Sequence, residues 1–118
     1  MSEASVQIVL PWPHKALWPN SRAHWAAKAR EVKKHRQWAT WATPARLQVE
    51  ADKLSVTVTF NPPDIRARDT DNAVAAVKSY LDGIADSLGV NDSIFEIEKP
   101  VRGPVVKAGR VVFEVKAA

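Results

Sequence analysis

The sequence predicts an α+β fold, with a small mixed β-sheet packed with two main helices. Three observations predict this class: short segments alternate apolar and polar residues, longer segments have the helical period, and the order is strand, helix, strand, helix, strand, strand. A length of 118 residues suits one domain, so residues 1–118 are expected to share a single core.

The first strand and the first helix are predicted in the N-terminal part. Ser5 to Leu10 alternates, and Pro11-Trp12-Pro13 ends the strand because proline has no N–H to donate. From about Ser21 to Thr43 there is no glycine or proline, which indicates one long helix capped by Asn20 or Ser21.

This helix has two different surfaces when its residues are projected at 100° per residue. The apolar arc comprises Trp25, Ala29, Val32 and Ala39. The basic and aromatic arc comprises Arg30, Lys34, Trp38 and Trp41. The two arcs are expected to contact different partners.

A second strand and a second helix follow. Lys53 to Phe60 alternates regularly and ends at Asn61-Pro62-Pro63. Between Asn72 and Leu88 apolar residues recur at helical spacing, so this helix is predicted to pack on the sheet. Its apolar face comprises Ala73, Val77, Tyr80, Leu81, Ile84 and Leu88.

Two glycines bear on this second helix, and two further strands follow it. Gly83 is expected to weaken the helix by about 1 kcal/mol relative to alanine, with a possible bend, and Gly89 to end it. Ile94 to Lys99 and Arg110 to Lys116 are the strands. The loop between them is long for a hairpin, so their pairing partners are left open.

The composition excludes several classes of function. The chain has no cysteine, which excludes disulfides and thiolate chemistry and favours a reducing compartment. It also lacks a P-loop, a dinucleotide fingerprint and the zinc-protease and serine-hydrolase motifs. No run of about 18 apolar residues occurs, so we expect a cytoplasmic protein without a membrane partner.

The charge distribution favours a polyanionic partner. The net charge is +4, and residues 1–49 carry eight basic and two acidic residues whereas the remainder carries nine and eleven. The candidate nucleic-acid-binding cations are Lys28, Arg30, Lys33, Lys34, Arg66 and Arg68. The tryptophans beside them could stack on bases, or they could belong to the core or to a dimer interface.

The candidate catalytic segment is Arg66-Ala67-Arg68-Asp69-Thr70-Asp71-Asn72. Carboxylates two residues apart point to one side of an extended chain, so Asp69 and Asp71 converge only if they precede the helix. A cluster of carboxylates is typical of an Mg²⁺ site that faces phosphate. If the helical phase is extended backwards, Asp71 shares a polar face with Lys78 and Asp82.

Purely structural roles are also open for these residues. Asp69 or Asp71 could be an N-cap with the other in the first turn, and Asn91-Asp92 could form a turn. Lys78 could be only the i,i+4 partner of Asp82 on a solvated helix face.

Four segments together resemble the RusA family of Holliday junction resolvases, which phages and prophages often carry. They are Leu10-Pro11-Trp12-Pro13, the segment from Arg66 to Asn72, Lys78 with Leu81-Asp82-Gly83-Ile84, and Val90-Asn91-Asp92-Ser93. The resemblance covers nearly the whole chain. It implies a homodimeric endodeoxyribonuclease that resolves four-way DNA junctions by paired symmetric incisions. The implied cofactor is Mg²⁺, with Mn²⁺ as an alternative ion, and the implied location is a bacterial or phage-infected cell.

The resemblance also implies roles for individual residues. Asp69, Asp71 and Asp92 match the family's catalytic, metal-binding carboxylates, and Asn72 matches the asparagine beside them. The family's catalytic lysine falls on Ala75, so its role is carried over to Lys78. Two other functions stay open, a non-catalytic nucleic-acid-binding module and a structural dimer or phage assembly protein.

Overall fold

A five-stranded mixed sheet carries the helices on one face. The structure is a computed structural model, and it describes residues 5–44 and 52–117. The strands are β1 Ser5–Pro11, β2 Leu54–Asn61, β3 Phe95–Ile97, β4 Val101–Arg102 and β5 Arg110–Ala117. The helices are α1 Trp25–Ala42, α2 Thr70–Ala76 and α3 Lys78–Leu88. The predicted α+β class is confirmed.

The sheet order is β1-β5-β2-β3, with β4 also on β2. β5 is antiparallel to both β1 and β2, whereas β3 and β4 run parallel to β2. The two last predicted strands therefore do not form a hairpin with each other, because β2 separates them. The chain returns from β2 to β3 through α2 and α3, which is the usual crossover between parallel strands.

The core lies between one face of the sheet and the helices. Alternate residues of the three long strands are buried, as the period of two requires. These strand residues are Ile8, Leu10, Leu54, Val56, Val58, Phe60, Val111, Phe113 and Val115. The helices contribute Ala39, Ala73, Val77, Tyr80, Leu81 and Ile84. The predicted core face of the second helix is thus confirmed, with Leu88 partly buried at its end.

The predicted helix from Asn72 to Leu88 is in fact two helices that meet at Val77. This residue has φ −103° and ψ 8°, and its N–H bonds to the carbonyl of Val74 at 3.2 Å, which tightens the turn. α2 also begins earlier than predicted, at Thr70.

The first helix differs from prediction in its start and in its buried face. α1 begins at Trp25, where the His24 Nδ1 accepts the Ala26 N–H at 3.1 Å and replaces the predicted caps. Of the predicted apolar arc only Ala39 is buried, whereas Trp25 is 76% exposed and Val32 38%. The buried face instead centres on His35 and Ala39.

His35 is buried because its two ring nitrogens are both hydrogen-bonded. The Nε2 accepts the backbone N–H of His14 at 3.2 Å, and the Nδ1 lies 2.7 Å from the carbonyl of Glu31. This pairing assigns the proton to Nδ1 in the neutral ring. The ring packs against Tyr80, whose hydroxyl donates to the Pro11 carbonyl at 2.8 Å. The network ties α1 to α3 and to the end of β1.

Gly83 is the point of closest approach between α1 and α3. A Cβ built on it would lie 2.1 Å from the Arg36 carbonyl oxygen and 2.8 Å from the Ala39 Cβ. The helix does not break at this glycine, and Thr40 of α1 donates to the Gly83 carbonyl at 3.1 Å. Gly89 ends α3 in the left-handed conformation, as predicted. None of the described helices is long and apolar enough to cross a membrane.

Candidate functional site

Asp69 and Asp71 lie at the N-terminus of α2. Asp69 is the N-cap, with extended backbone angles and a carboxylate that accepts the Asn72 N–H at 3.1 Å. Asp71 is in the first turn, where a negative charge interacts favourably with the helix dipole. Both side chains belong to exposed residues. The capping role considered for this pair is therefore confirmed for Asp69.

Lys78 brings two more distant carboxylates together at the start of α3. Its Nζ lies 3.2 Å from Asp82 Oδ1 and 3.4 Å from Asp92 Oδ2. Asp92 reaches this position because Gly89 ends α3 and the Asn91 side chain caps the following 3-10 turn by accepting the Ser93 N–H. Both the predicted i,i+4 pair and the predicted turn are present, and the turn places Asp92 on the lysine.

The two carboxylates keep Lys78 protonated. The hydrogen bond to Asp82 is the largest cause that raises the pKa of the lysine, and Asp92 adds to it, against a smaller opposing effect of burial. The side chain is nevertheless 68% exposed, so its ammonium group is accessible to an anionic ligand. This arrangement provides a fixed positive charge flanked by carboxylates.

The structure does not bring Asp69, Asp71 and Asp92 together as one three-carboxylate site. Lys78 follows Asp71 by seven positions, about 10 Å of helical rise, and Asp92 is paired with Lys78 instead. Within residues 5–44 and 52–117, no three His, Cys, Asp or Glu side chains are grouped closely enough to hold a metal ion. A single chain in this arrangement therefore does not form a site in which the three carboxylates hold one metal ion.

The loop before α2 orders two of the predicted DNA-binding arginines around Asp64. The carboxylate of Asp64 lies 3.2 Å from Arg66 Nε and 2.7 Å from Arg68 Nη2. The hydrogen bonds from Arg66 are the main cause that lowers the pKa of Asp64 to about 2. Arg68 is mostly buried, and its guanidinium lies 5.2 Å from the centre of the Trp12 ring. Arg66 is 79% exposed and is therefore accessible to a phosphate.

The four predicted cations of α1 are all on exposed residues. Lys34 lies 3.9 Å from Glu31 and 4.9 Å from the centre of the Trp38 ring. Lys28 and Lys33 flank a shallow surface formed by the exposed Trp25, Ala29 and Val32. The helix thus presents positive charge to solvent, while Arg36 is paired with Asp86 of α3 at 2.6 Å.

The structure also adds basic residues that the sequence reasoning did not select. Arg102 in β4 donates to the carbonyl of Arg66 at 3.2 Å, and Arg110 at the start of β5 donates to the Asn61 side chain at 3.1 Å. The sheet pairs β4 and β5 with β2, which places Arg102 beside Arg66 and Arg110 beside the end of β2. No spacing in the sequence signals this proximity.

Comparison with known proteins shows a relative of this chain. No protein-family model matches the chain. A protein of Xylella fastidiosa (strain Temecula1 / ATCC 700964), named only as an uncharacterized protein, is 37% identical over 115 residues, which cover 92% of this chain and 74% of that protein. Its name states no activity. At this identity and coverage, the chain belongs to the same family as the Xylella fastidiosa protein.

Proposed function

We propose that the chain is a Mg²⁺-dependent, structure-selective endodeoxyribonuclease of the RusA resolvase type, acting on four-way DNA junctions as a homodimer. The observation that carries the proposal is the contact of Lys78 with Asp82 and Asp92. It joins the acidic turn that contains Asp92 to the start of α3, the helix that follows α2 and its acidic N-terminus.

Lys78 has the chemistry of a charge stabiliser in this proposal. A lysine whose pKa is raised stays an ammonium ion at neutral pH, so it is unsuited to act as a general base. A fixed cation is suited to the negative charge that develops on phosphoryl oxygens during hydrolysis. Asp82 and Asp92 orient its side chain, and Arg66 supplies a second cation for an adjacent phosphate.

Mg²⁺, with Mn²⁺ as an alternative, is the cofactor that the resemblance implies. When bound, such an ion supplies an activated water and charge neutralisation at the phosphate. Because one chain does not group Asp69, Asp71 and Asp92, the proposal requires that these carboxylates approach one another in the DNA complex. It also requires two protomers, since two symmetric incisions match a two-fold dimer with one site in each chain.

A non-catalytic nucleic-acid-binding module is the second candidate. It is favoured by the role of Asp69 as a helix cap, because this role explains the acidic residue at that position without a bound metal ion. Calorimetric titration with Mg²⁺ of the protein–junction complex and of the free junction separates the two candidates, because only a nuclease adds an ion site to those of the DNA.

The experiment that tests the proposal compares four-way, three-way and linear duplex DNA as substrates of the wild-type protein, with Mg²⁺ and with EDTA. We expect paired nicks in the four-way junction with Mg²⁺ only, and little cleavage of the linear duplex. Binding of all three DNAs without cleavage would favour the non-catalytic module. If the protein shows no preference for branched over linear DNA, the result would count against a structure-selective resolvase.

A further inference from the structure

A groove separate from the Lys78 cluster runs between the segment after β1 and the loop before α2. Its walls are the chain from Trp12 to Ala27 and the loop from Pro63 to Arg68. It has a volume of about 890 Å³. This lies in the upper part of the range of roughly 300 to 1,000 Å³ that is usual for ligand sites, so the groove is large enough to bind a ligand.

The groove is basic and aromatic. Its cations are Lys15, Arg22, Arg66 and Arg68. No acidic side chain is among its lining residues within the described part of the chain. Asp64, behind the loop, pairs with two of the arginines, and Lys15 and Arg22 form no ion pair with any acid that the structure describes. The net charge at the groove therefore favours a polyanion.

Two tryptophans form the aromatic part of the groove. The rings of Trp12 and Trp18 have centroids 5.9 Å apart, and both side chains pack partly against the core. The Trp12 ring meets Phe60 edge-on at 6.2 Å, and Arg68 lies over it. The rings are therefore held in place before any ligand arrives, which reduces the ordering cost of stacking.

These features distinguish an unpaired strand from a duplex. The bases of a duplex have no free face to stack on an indole, whereas unpaired bases do, and a basic groove with aromatic residues is typical of single-strand binding. Arg68, which lines the groove, immediately precedes Asp69 in the sequence. A strand lying in the groove would therefore pass near the N-terminus of α2.

We infer that this groove binds an unpaired DNA strand, with a base stacked on Trp18 and phosphates on Lys15, Arg22 and Arg66. The inference deepens the proposed nuclease function and rests on it for the choice of DNA as the ligand. A strand can enter the groove only where base pairs at the branch point open, so the groove would favour junctions with an opened centre over linear duplex DNA.

The test uses a fluorescein-labelled oligothymidylate of about ten nucleotides, a length within the range of single-strand sites. Its binding to the full chain is followed by anisotropy in EDTA. The double variant Lys15→Glu/Arg22→Glu is expected to weaken binding at least tenfold. It is also expected to reduce the slope of log K against log salt by about 1.4, since each phosphate contact on a single strand contributes about 0.7.

The matched control is Lys53→Glu/Lys116→Glu, which makes the same change in net charge. Lys53 precedes β2 and Lys116 lies near the end of β5, at the end of the sheet opposite to Pro11 and Asn61. This control should leave the salt slope unchanged. Equal losses in the two double variants, or no binding of the oligonucleotide by the wild type, would overturn the inference.

Trp18→Leu provides a second readout of stacking. We expect at least a fivefold loss of affinity for the oligonucleotide with an unchanged salt slope, because stacking is not a charge interaction. Circular dichroism checks that this variant is folded. If it is not, the comparison of Lys15→Glu/Arg22→Glu with its control still tests the inference. Unaltered affinity in a folded Trp18→Leu protein would exclude Trp18 from the site.

The outcomes for the groove and for the nuclease are separable. Oligonucleotide binding that depends on Lys15 and Arg22, without cleavage of any DNA, would support the groove and refute the nuclease. Junction cleavage by a protein whose oligonucleotide binding does not depend on Lys15 and Arg22 would support the nuclease and refute the groove.

Discussion

Lys78 is the residue on which the proposed chemistry depends most. It is accessible, it is charged at neutral pH, and it contacts carboxylates from both α3 and the following turn. Replacement by methionine keeps most of the aliphatic length and removes the charge, so Asp82 and Asp92 lose their common partner.

We expect Lys78→Met to lower the rate of junction cleavage by about 10² to 10³, the usual effect of removing one group that stabilises transition-state charge. Binding of the junction in EDTA should change little, because one phosphate contact among many is lost. The matched control is Lys99→Met, an exposed lysine beyond β3, which should cleave normally. A Lys78→Met protein with the wild-type rate would exclude the lysine from catalysis.

His35 gives the folded protein a predicted sensitivity to mild acid. Burial is the main cause that lowers its pKa below the usual 6.5. In the unfolded chain the ring takes up a proton as the pH falls through about 6.5, whereas in the folded chain it does so only at lower pH. The histidine therefore lowers the free energy of unfolding as the pH falls below about 6.5, and has no such effect above it.

Urea denaturation at pH 7.5 and 5.5 measures this effect. The loss from this one group is at most about 1.4 kcal/mol per pH unit. His35→Gln should lower stability at both pH values but make it less dependent on pH. If the wild type is equally stable at both pH values, the assigned neutral state of the ring is wrong.

At the scale of elements, the contact between α1 and α3 depends on the missing side chain of Gly83. Two effects oppose each other in Gly83→Ala. Alanine has a helix propensity better by about 1 kcal/mol, whereas its methyl group would collide with the backbone of Arg36. Forcing helices apart in a packed core costs about 1 to 3 kcal/mol or more.

We expect the collision to dominate, so that Gly83→Ala lowers the free energy of unfolding by about 2 kcal/mol. The control is Gly89→Ala, which meets no neighbouring atom and is disfavoured only by its φ of +68°, at a cost of about 1 kcal/mol. Chemical denaturation of the three proteins gives the comparison. A Gly83→Ala protein more stable than the wild type would mean that α1 and α3 are not packed as described.

The helices show which parts of the fold the sequence allows one to predict. The core face of α2 and α3 was predictable because its residues are apolar and regularly spaced. The core face of α1 was not, because a buried histidine reads as polar while the exposed Trp25 and Val32 read as core. His35 is buried only because distant partners, the His14 N–H and Tyr80, satisfy and cover its ring.

The candidate site, too, was predictable from the sequence only in part. The pair of Lys78 with Asp82 follows from helical spacing, and the cap at Asp69 from its position before a helix. The approach of Asp92 to Lys78 depends on how Gly89 redirects the chain, and spacing alone does not specify that direction. For the same reason, the groove between residues 12–27 and 63–68 could not be predicted.

At the scale of the whole molecule, exposed positive charge is distributed over α1 and over the loop before α2. A junction has phosphates on four arms, so a dimer is expected to contact it over a wide basic surface. The cations of α1 are distant from Lys78 in the sequence. In this proposal they contribute to the affinity for the junction and take no part in the cleavage reaction.

Neutralising Lys33 and Lys34 with glutamine should therefore weaken junction binding without changing the rate of cleavage at saturation. If both contact phosphate, the slope of log K against log salt should fall in magnitude by about 1.8, or about 0.9 for each contact. Filter binding at several salt concentrations measures this slope. An unchanged slope would place the duplex-binding surface elsewhere on the molecule.

The most direct test of the proposed nuclease is Asp71→Asn on a synthetic four-way junction. The amide keeps the size of the side chain, removes its charge and replaces one accepting oxygen with a donating NH₂ group. The account predicts that this variant binds the junction in EDTA as the wild type does and produces no nicks when Mg²⁺ is added. Cleavage by Asp71→Asn at the wild-type rate would contradict the assignment of the acidic motif as the catalytic centre.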